Sequence, residues 1–249
     1  MNATVPFTDG ELLCAWHDIE CGDYRADLAL WRELATQAAG PVLDVGAGTG
    51  RVAIDLARQG HDVLALDLEP VLLDELERRA RDEGVRVRTL VADAARFELD
   101  RPAGVILVPM QTLQLLDAPL RAGFFASARA AVMPGGIVAI AIATALEPFA
   151  PSAGDLPAPD VGERDGWRFV SQPTAIANEG SHARIDRVRR LIAPDGATVS
   201  GDLDTTRLAV LDEETLEAEA AAAGFEPLER REIPETLDHV ASEVVLLRG

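Results

Sequence analysis

The feature that most constrains this chain is the order of its apolar segments. "PVLDVG" (residues 41–46) reads as a short buried strand, and "RVAIDLARQG" as a helix closed by Gly60. "DVLALD" is a second buried strand. "EPVLLDELERRARDEG" is an amphipathic helix, with Pro70 in its first turn and Leu72, Leu73, Leu76 and Ala80 on one face. "VRVRTLVAD" and "AGVILVPM" are strands, "APLRAGFFASARAAVM" a helix and "GGIVAIAIA" a strand. Strands that are apolar on both faces, alternating with helices, predict a mostly parallel, doubly wound α/β sheet covered on both sides.

The turn after the first strand, "DVGAGTGR", places glycine at 46, 48 and 50 directly after Asp44. A glycine-rich turn between a first strand and a first helix lets backbone approach a ligand at the carboxyl end of the sheet. The alternative is a tight turn with no ligand. The dinucleotide spacing G-x-G-x-x-G is not met, because Arg51 stands where the third glycine belongs.

Asp44 and the alternate glycines resemble motif I, D/E-x-G-x-G-x-G, of the class I S-adenosylmethionine-dependent methyltransferases. The resemblance covers roughly 40–146 and 212–249, and implies a seven-stranded Rossmann-like sheet. It implies that Asp44, Gly46, Ala47, Gly48 and Gly50 form the cofactor turn. Asp67, at the end of the second strand, matches the acid that accepts hydrogen bonds from both ribose hydroxyls. By position alone Asp67 also suits a nicotinamide cofactor, or a helix cap. Asp93 matches the acid that accepts from the adenine amino group, and Ala94 would offer a backbone amide. A turn-forming role is the alternative for Asp93. Leu68 covers the adenine face, and Pro109 and Met110 follow the fourth strand beside the cofactor. "AVMPGGIVAIAI" resembles the turn into the family's fifth strand, and "AGFEPLERRE…SEVVLLRG" its closing antiparallel pair. Two departures stand out. The fourth strand begins Ala103-Gly104 instead of aromatic-Asp, which predicts loss of a nearby structural hydrogen bond. "PMQTLQLL" replaces the [D/N]-P-P-[Y/F] signature, which argues against adenine-N6 and protein-glutamine acceptors.

The remaining segments set the domain plan. In 249 residues there is room for one large domain or a domain with an insertion. Residues 1–39 are expected to be helical, broken near "ECGD", and to form a lid over the cofactor. Residues 40–146 and 211–249 are the expected cofactor-binding α/β domain. Residues 147–210 hold a Pro/Gly-rich loop and then "WRFVSQPTAIA", "SHARIDRVRRLIA" and "TVSGDLDTTRLAVL". Their period-two alternation and "NEG" and "PDG" turns predict antiparallel hairpins over 167–210. The insertion resembles that of small-molecule N-methyltransferases, which implies an acceptor chamber or a homodimer contact. Asp212 is read as the cap of a helix ending at Gly224.

Composition removes several classes. The net charge is −19, which disfavours nucleic acid as a partner. The Arg187–Arg190 strip is read as the solvated face of a strand. There is no lysine, hence neither a Schiff base nor a P-loop lysine. Cys14 and Cys21 cannot make a structural zinc site by themselves, no metal is expected, and both read as buried thiols. No apolar run reaches the roughly 18 residues of a membrane span, and no secretory signal opens the chain. A cytoplasmic location is expected.

The cofactor implied is S-adenosylmethionine, with S-adenosylhomocysteine as product. Its methyl carbon is already electrophilic, so positioning could supply roughly 7–11 kcal/mol at best. A hydroxyl acceptor needs a base; an amine need only arrive neutral. No residue is therefore assigned as catalytic. His17, Tyr24 and Gln114 are the candidates near the acceptor, with Gln111 beside Gln114 and with His182 and His239 weaker. Arg25 is expected to pair with the donor's carboxylate; a solvent-facing helix arginine is the alternative. The expected activity is methyl transfer to a small organic amine, hydroxyl or carbon. A non-methylating donor-binding protein and a nicotinamide-dependent oxidoreductase are the alternatives.

Overall fold

The computed structural model describes residues 5–150, 156–236 and 239–249. The chain divides into two compact units, one of residues 1–24 and 146–210, the other of 25–145 and 211–249. The expected N-terminal segment 1–39 is thus shared between them. The division follows covalent local structure: a π-helical turn over Asp18–Gly22 ends the first helix, and a new helix starts at Leu28.

The larger unit is the α/β body. With helices and strands numbered along the whole chain, it contains α2 (Leu28–Gln37), β1 (Val42–Val45), α3 (Arg51–Arg58), β2 (Val63–Asp67), α4 (Pro70–Asp82) and β3 (Val87–Val91). β4 (Ala103–Val108), α5 (Ala118–Ala131), β5 (Val132–Ile142), α6 (Glu213–Ala222), β10 (Glu226–Pro227), β11 (Arg231–Ile233) and β12 (Ser242–Arg248) complete it. The sheet order is β10-β12-β5-β4-β1-β2-β3. β1 to β5 are parallel, and β12 runs antiparallel to β5. This is the predicted seven-position sheet. Its last position is split: β10 and β11 both pair with β12, where sequence reading expects one continuous strand over "FEPLERREI". Capping follows the sequence at Asp212, whose side chain accepts from the N–H of Thr215 at 2.8 Å.

The core explains why the strands are so apolar. Every residue of β1 and β4 is buried. Leu43, Ile106, Val138 and Ile140 form one face with Phe124 and Phe125 of α5 and Leu216 of α6. The departure at Ala103-Gly104 has a steric reason. A side chain at Gly104 would collide with the carbonyl of Ala39, and the Gly104 N–H is satisfied by the carbonyl of Pro41 at 2.8 Å.

The smaller unit contains α1 (Asp9–His17), the π turn, and a four-stranded antiparallel sheet in the order β6-β7-β8-β9. The strands are β6 (Asp160–Arg164), β7 (Trp167–Asn178), β8 (His182–Ile192) and β9 (Thr198–Ala209). The three hairpin strands lie where alternation places them. β6 corrects the sequence reading, which assigns "DVGER" to the loop. Its Gly162 is a packing residue, because a Cβ there would lie 2.7 Å from Cγ1 of Ile19. Residues 151–155 of that expected loop lie outside the described residues, as do 1–4. Trp167, Phe169, Leu191 and Ala15 form the core, with Phe7 and Trp16 edge-on or tilted to Phe169.

The arginine strip is also corrected. Arg187 pairs with Asp160, and Arg189 makes a two-pronged bond to Glu20, at 2.8 and 2.7 Å, and a further bond to Asp204. These side chains are committed to acids of their own unit and do not form a solvated stripe. Cys14 is buried, Cys21 is half-buried, and no disulfide joins them.

Candidate functional site

In the larger unit the strand order reverses at β1, whose neighbours are β2 on one side and β4 on the other. Ligands of open α/β sheets bind outside the carboxyl ends of the strands at such a switch point. The glycine turn sits there. Gly46, Gly48 and Gly50 have φ of 72°, 53° and 97°, a region open to glycine and costly for other residues. The N–H groups of Gly46 and Ala47 donate to the carbonyl of Leu66 in β2, at 2.8 and 3.0 Å. The turn is therefore tied to the strand that carries Asp67.

Asp67 faces the turn. Its Oδ2 accepts from the Gly48 N–H at 2.8 Å, and its Oδ1 from the Glu69 N–H at 3.0 Å. Two fixed amides orient a half-buried carboxylate whose remaining lone pairs are open to a ligand.

The glycines divide their labour in a way the sequence does not announce. A Cβ at Gly46 would collide with the side chain of Thr112, which follows β4 and donates its hydroxyl to Pro109 O at 2.9 Å. A Cβ at Gly50 would lie 2.6 Å from Cγ of Leu76 in α4. Two of the three positions thus admit neighbouring protein, the β4 loop and a helix, where sequence reading has all three clearing space for a ligand. The β4 loop is itself held in an unusual shape: Met110 has φ of 55°. Side-chain-bearing residues at positive φ persist where surrounding structure holds them, often at functional sites. Pro109 is buried and Met110 half-buried.

Beneath the turn lies Asp44, 1% exposed, with neither carboxylate oxygen accepting a hydrogen bond. Burial pushes its pKa up to about 7; the Arg51 guanidinium and the nearby Ala53 N–H oppose the rise, and Asp27 and Asp67 add to it. A buried, unsatisfied carboxylate is costly.

Sequence analysis misses Asp27. It is fully buried and grips Arg51 through two bonds of 2.5 and 2.8 Å. Trp31, also fully buried, donates its indole N–H to the same carboxylate at 2.7 Å. The only signal available in the sequence is the (i, i+4) spacing of Asp27 and Trp31 on one helix face. A second fork, Arg32 to Asp55 at 2.7 and 2.6 Å, also joins α2 to α3.

The other predicted residues fall as follows. Leu68 is 62% exposed beside Asp67, as an apolar cover for a flat ligand requires. Asp93 is exposed and forms the Asx turn, its Oδ1 accepting from Ala95 N–H at 2.8 Å; Ala94 is half-buried within that turn. Arg25 is exposed, just before α2. Gln114 differs from expectation. It is 1% exposed, its Nε2 donates to Ala143 O at 3.0 Å, and its Oε1 accepts from Ala143 N–H at 2.8 Å. Its amide acts as an extra strand rung beyond β5, so those atoms are spent on the fold and not on an acceptor. Gln111 is half-buried in the β4 loop. His17 is half-buried at the end of α1 and Tyr24 buried, both in the smaller unit. His182 and His239 are half-buried, and Ser181 Oγ lies 2.9 Å from His182 Nδ1. Among the described residues, no group of three His, Cys, Asp or Glu could hold a metal ion.

Two clefts of the larger unit lie away from the glycine turn. One, of about 380 Å³, is lined by Val42, Leu64, Arg88 and Ala103; the other, of about 320 Å³, by Gly104, Met133 and Gly135. These residues mark the amino ends of the strands, opposite to where the switch point directs ligands.

Sheet order, glycine turn and the acid after β2 define a Rossmann-like methyltransferase fold. Residues 42–136 match the family model described as a methyltransferase domain. A sugar N-methyltransferase from Streptoalloteichus sp. has a solved structure that superposes with a TM-score of 0.74 at 20% identity, covering 100% of this chain and 97% of that one. An amino pentose methyltransferase from Micromonospora echinaspora, solved with S-adenosylmethionine bound, gives 0.64 at 19%, covering 100% and 99%. Among curated proteins, the tRNA 5-carboxymethoxyuridine methyltransferase of Escherichia coli K12 is 32% identical over 114 residues, covering 38% of this chain and 43% of that one. The chain therefore spans less than half the length of the curated relatives it matches. No helix among the described residues is long and apolar enough to cross a membrane.

Proposed function

We propose that this protein binds S-adenosylmethionine and transfers its methyl group to a small organic acceptor, an amine, a hydroxyl or a carbon. The observation that carries the reading is Asp67, a half-buried carboxylate at the switch point oriented by the glycine turn itself through the Gly48 N–H. The turn over Gly46, Ala47, Gly48 and Gly50, underpinned by Asp44, takes the methionyl group, Asp67 the ribose hydroxyls, Leu68 the adenine face, and Asp93 and Ala94 the adenine edge. Arg25 takes the donor carboxylate. The bound donor supplies an electrophilic methyl on sulfonium. This chain's residues bind it, orient it and exclude water.

The acceptor assignment rests on the structural neighbours, two of which are named for sugar acceptors. The tRNA relative matches over only 38% of this chain, and the charge of −19 opposes a polyanion. The smaller unit is assigned the acceptor chamber or a homodimer contact. The commitment of Gln114 to Ala143 favours a second reading, a donor-binding protein that does not transfer methyl, because it removes the side chain expected to orient an acceptor. The test is incubation with radiolabelled donor and a panel of amino sugars and other small amines. Label appearing in an acceptor supports the proposal. Tight donor binding with no transfer to any acceptor class supports the second reading.

A further inference from the structure

Among the described residues, two that are not glycine have positive φ, Met110 at 55° and Asp165 at 51°. Asp165 has a local reason. Arg164 pairs with Trp167, so Asp165 and Gly166 form a two-residue hairpin turn that demands this conformation. Met110 has none. It stands just beyond β4, and its long apolar side chain offers no local hydrogen bond to favour a left-handed backbone. Thr112 supplies the restraint. Its hydroxyl donates to Pro109 O at 2.9 Å and closes a tight turn around Met110 and Gln111. The same side chain lies against Gly46, where an added Cβ would collide with its methyl and lie 2.8 Å from its Oγ1.

The glycine turn is thus gripped at two points by different elements. Asp67 of β2 accepts from the Gly48 N–H, and Thr112 of the β4 loop seats on Gly46. The far end of that loop is fixed separately, by Gln114 on Ala143 and by Arg121, which donates to Leu116 O at 2.9 Å. We infer that Thr112 is a positioning residue for the donor turn: seated on Gly46 and bonded to Pro109, it locks the left-handed β4 loop onto the part of the turn that, on the proposed donor assignment, takes the methionyl group. Gly46 then lacks a side chain in order to admit Thr112. Loosening Thr112 frees the methionyl end of the site and leaves the ribose end, held by Asp67, in place.

The experiment is calorimetric titration of the full chain with S-adenosylhomocysteine and with 5′-methylthioadenosine, which keeps the adenosine and lacks the amino and carboxylate groups. Thr112→Ala should weaken S-adenosylhomocysteine by roughly tenfold and leave methylthioadenosine unchanged. Thr112→Ser, which keeps the hydroxyl, should retain most of the wild-type affinity. Gly46→Ala should weaken S-adenosylhomocysteine by at least about tenfold through overpacking. Combined with Thr112→Ala, it should lose much less than the product of the two single losses. Should Gly46→Ala not fold, Thr112→Ala and Thr112→Ser carry the comparison. Without any ligand, Met110→Gly should melt about 2–4 °C above Met110→Ala, and adding Thr112→Ala to both should erase most of that difference. Gln114→Ala is the control for a purely mechanical role: it should lower the melting temperature and leave the ratio of the two affinities untouched. Equal weakening of both ligands by Thr112→Ala, independent losses at positions 46 and 112, or a Met110 difference that ignores Thr112 overturns the inference alone. Wild type that binds neither ligand overturns the donor assignment, and the positioning role with it.

Discussion

Replacing Asp44 by Asn should make the ligand-free protein more stable at alkaline pH. The folded protein holds the Asp44 proton up to about pH 7, whereas the carboxyl's ordinary value is 3.8. Between those values the native state carries more protons than the unfolded chain, so stability falls as pH rises from about 4 to about 7 and then levels off. A difference of about three pH units corresponds to about 4 kcal/mol at full expression, of which roughly 2.5 kcal/mol falls between pH 5 and pH 8. Asn keeps the shape and has no charge to bury. Urea unfolding at the two pH values should show the wild type losing this increment relative to Asp44→Asn, with the variant more stable at pH 8. If the variant is less stable at pH 8, or if the pH dependence of the two proteins is the same, Asp44 is not the buried, unsatisfied acid described here.

Other outcomes follow from single contacts. Gln114→Ala leaves the N–H and C=O of the buried Ala143 without partners, and should cost about 2–4 kcal/mol in chemical denaturation. Gly50→Ala forces a left-handed φ of 97° on alanine and brings Cβ to 2.6 Å from Leu76. It should destabilise by roughly 2–4 kcal/mol, with partial rescue by Leu76→Ala. Asp67→Asn should weaken S-adenosylhomocysteine by about 10- to 100-fold, and the loss should shrink for a ligand whose ribose lacks both hydroxyls.

Much of the α/β body is legible in the sequence because its signals are local. "PVLDVG", "DVLALD" and "AGVILVPM" are too apolar to be half-exposed, and Pro70, Gly60 and Asp212 mark helix ends through their own backbone chemistry. The β6 strand is not legible: "DVGER" lacks apolar alternation, and its pairing with β7 is a long-range fact. The same holds within the site. Asp44, Asp67 and the glycines are recognisable because motif spacing carries them. Asp27 is not, since its partner is 24 residues away. Gln114 is misread because its place at the end of a strand suggests a ligand, while its actual partner, Ala143, is 29 residues distant. The glycines show the limit of a motif most clearly. Their positive φ is predictable, but which atoms occupy the space a Cβ would take depends on Thr112 and Leu76, contributed by other loops and helices.

The central claim is that the glycine turn and Asp67 hold an adenosyl amino acid. Titrating the purified chain separately with S-adenosylhomocysteine and with NAD tests it most directly. The account predicts saturable one-to-one binding of the former at micromolar concentration and none of the latter; binding of NAD alone would contradict it.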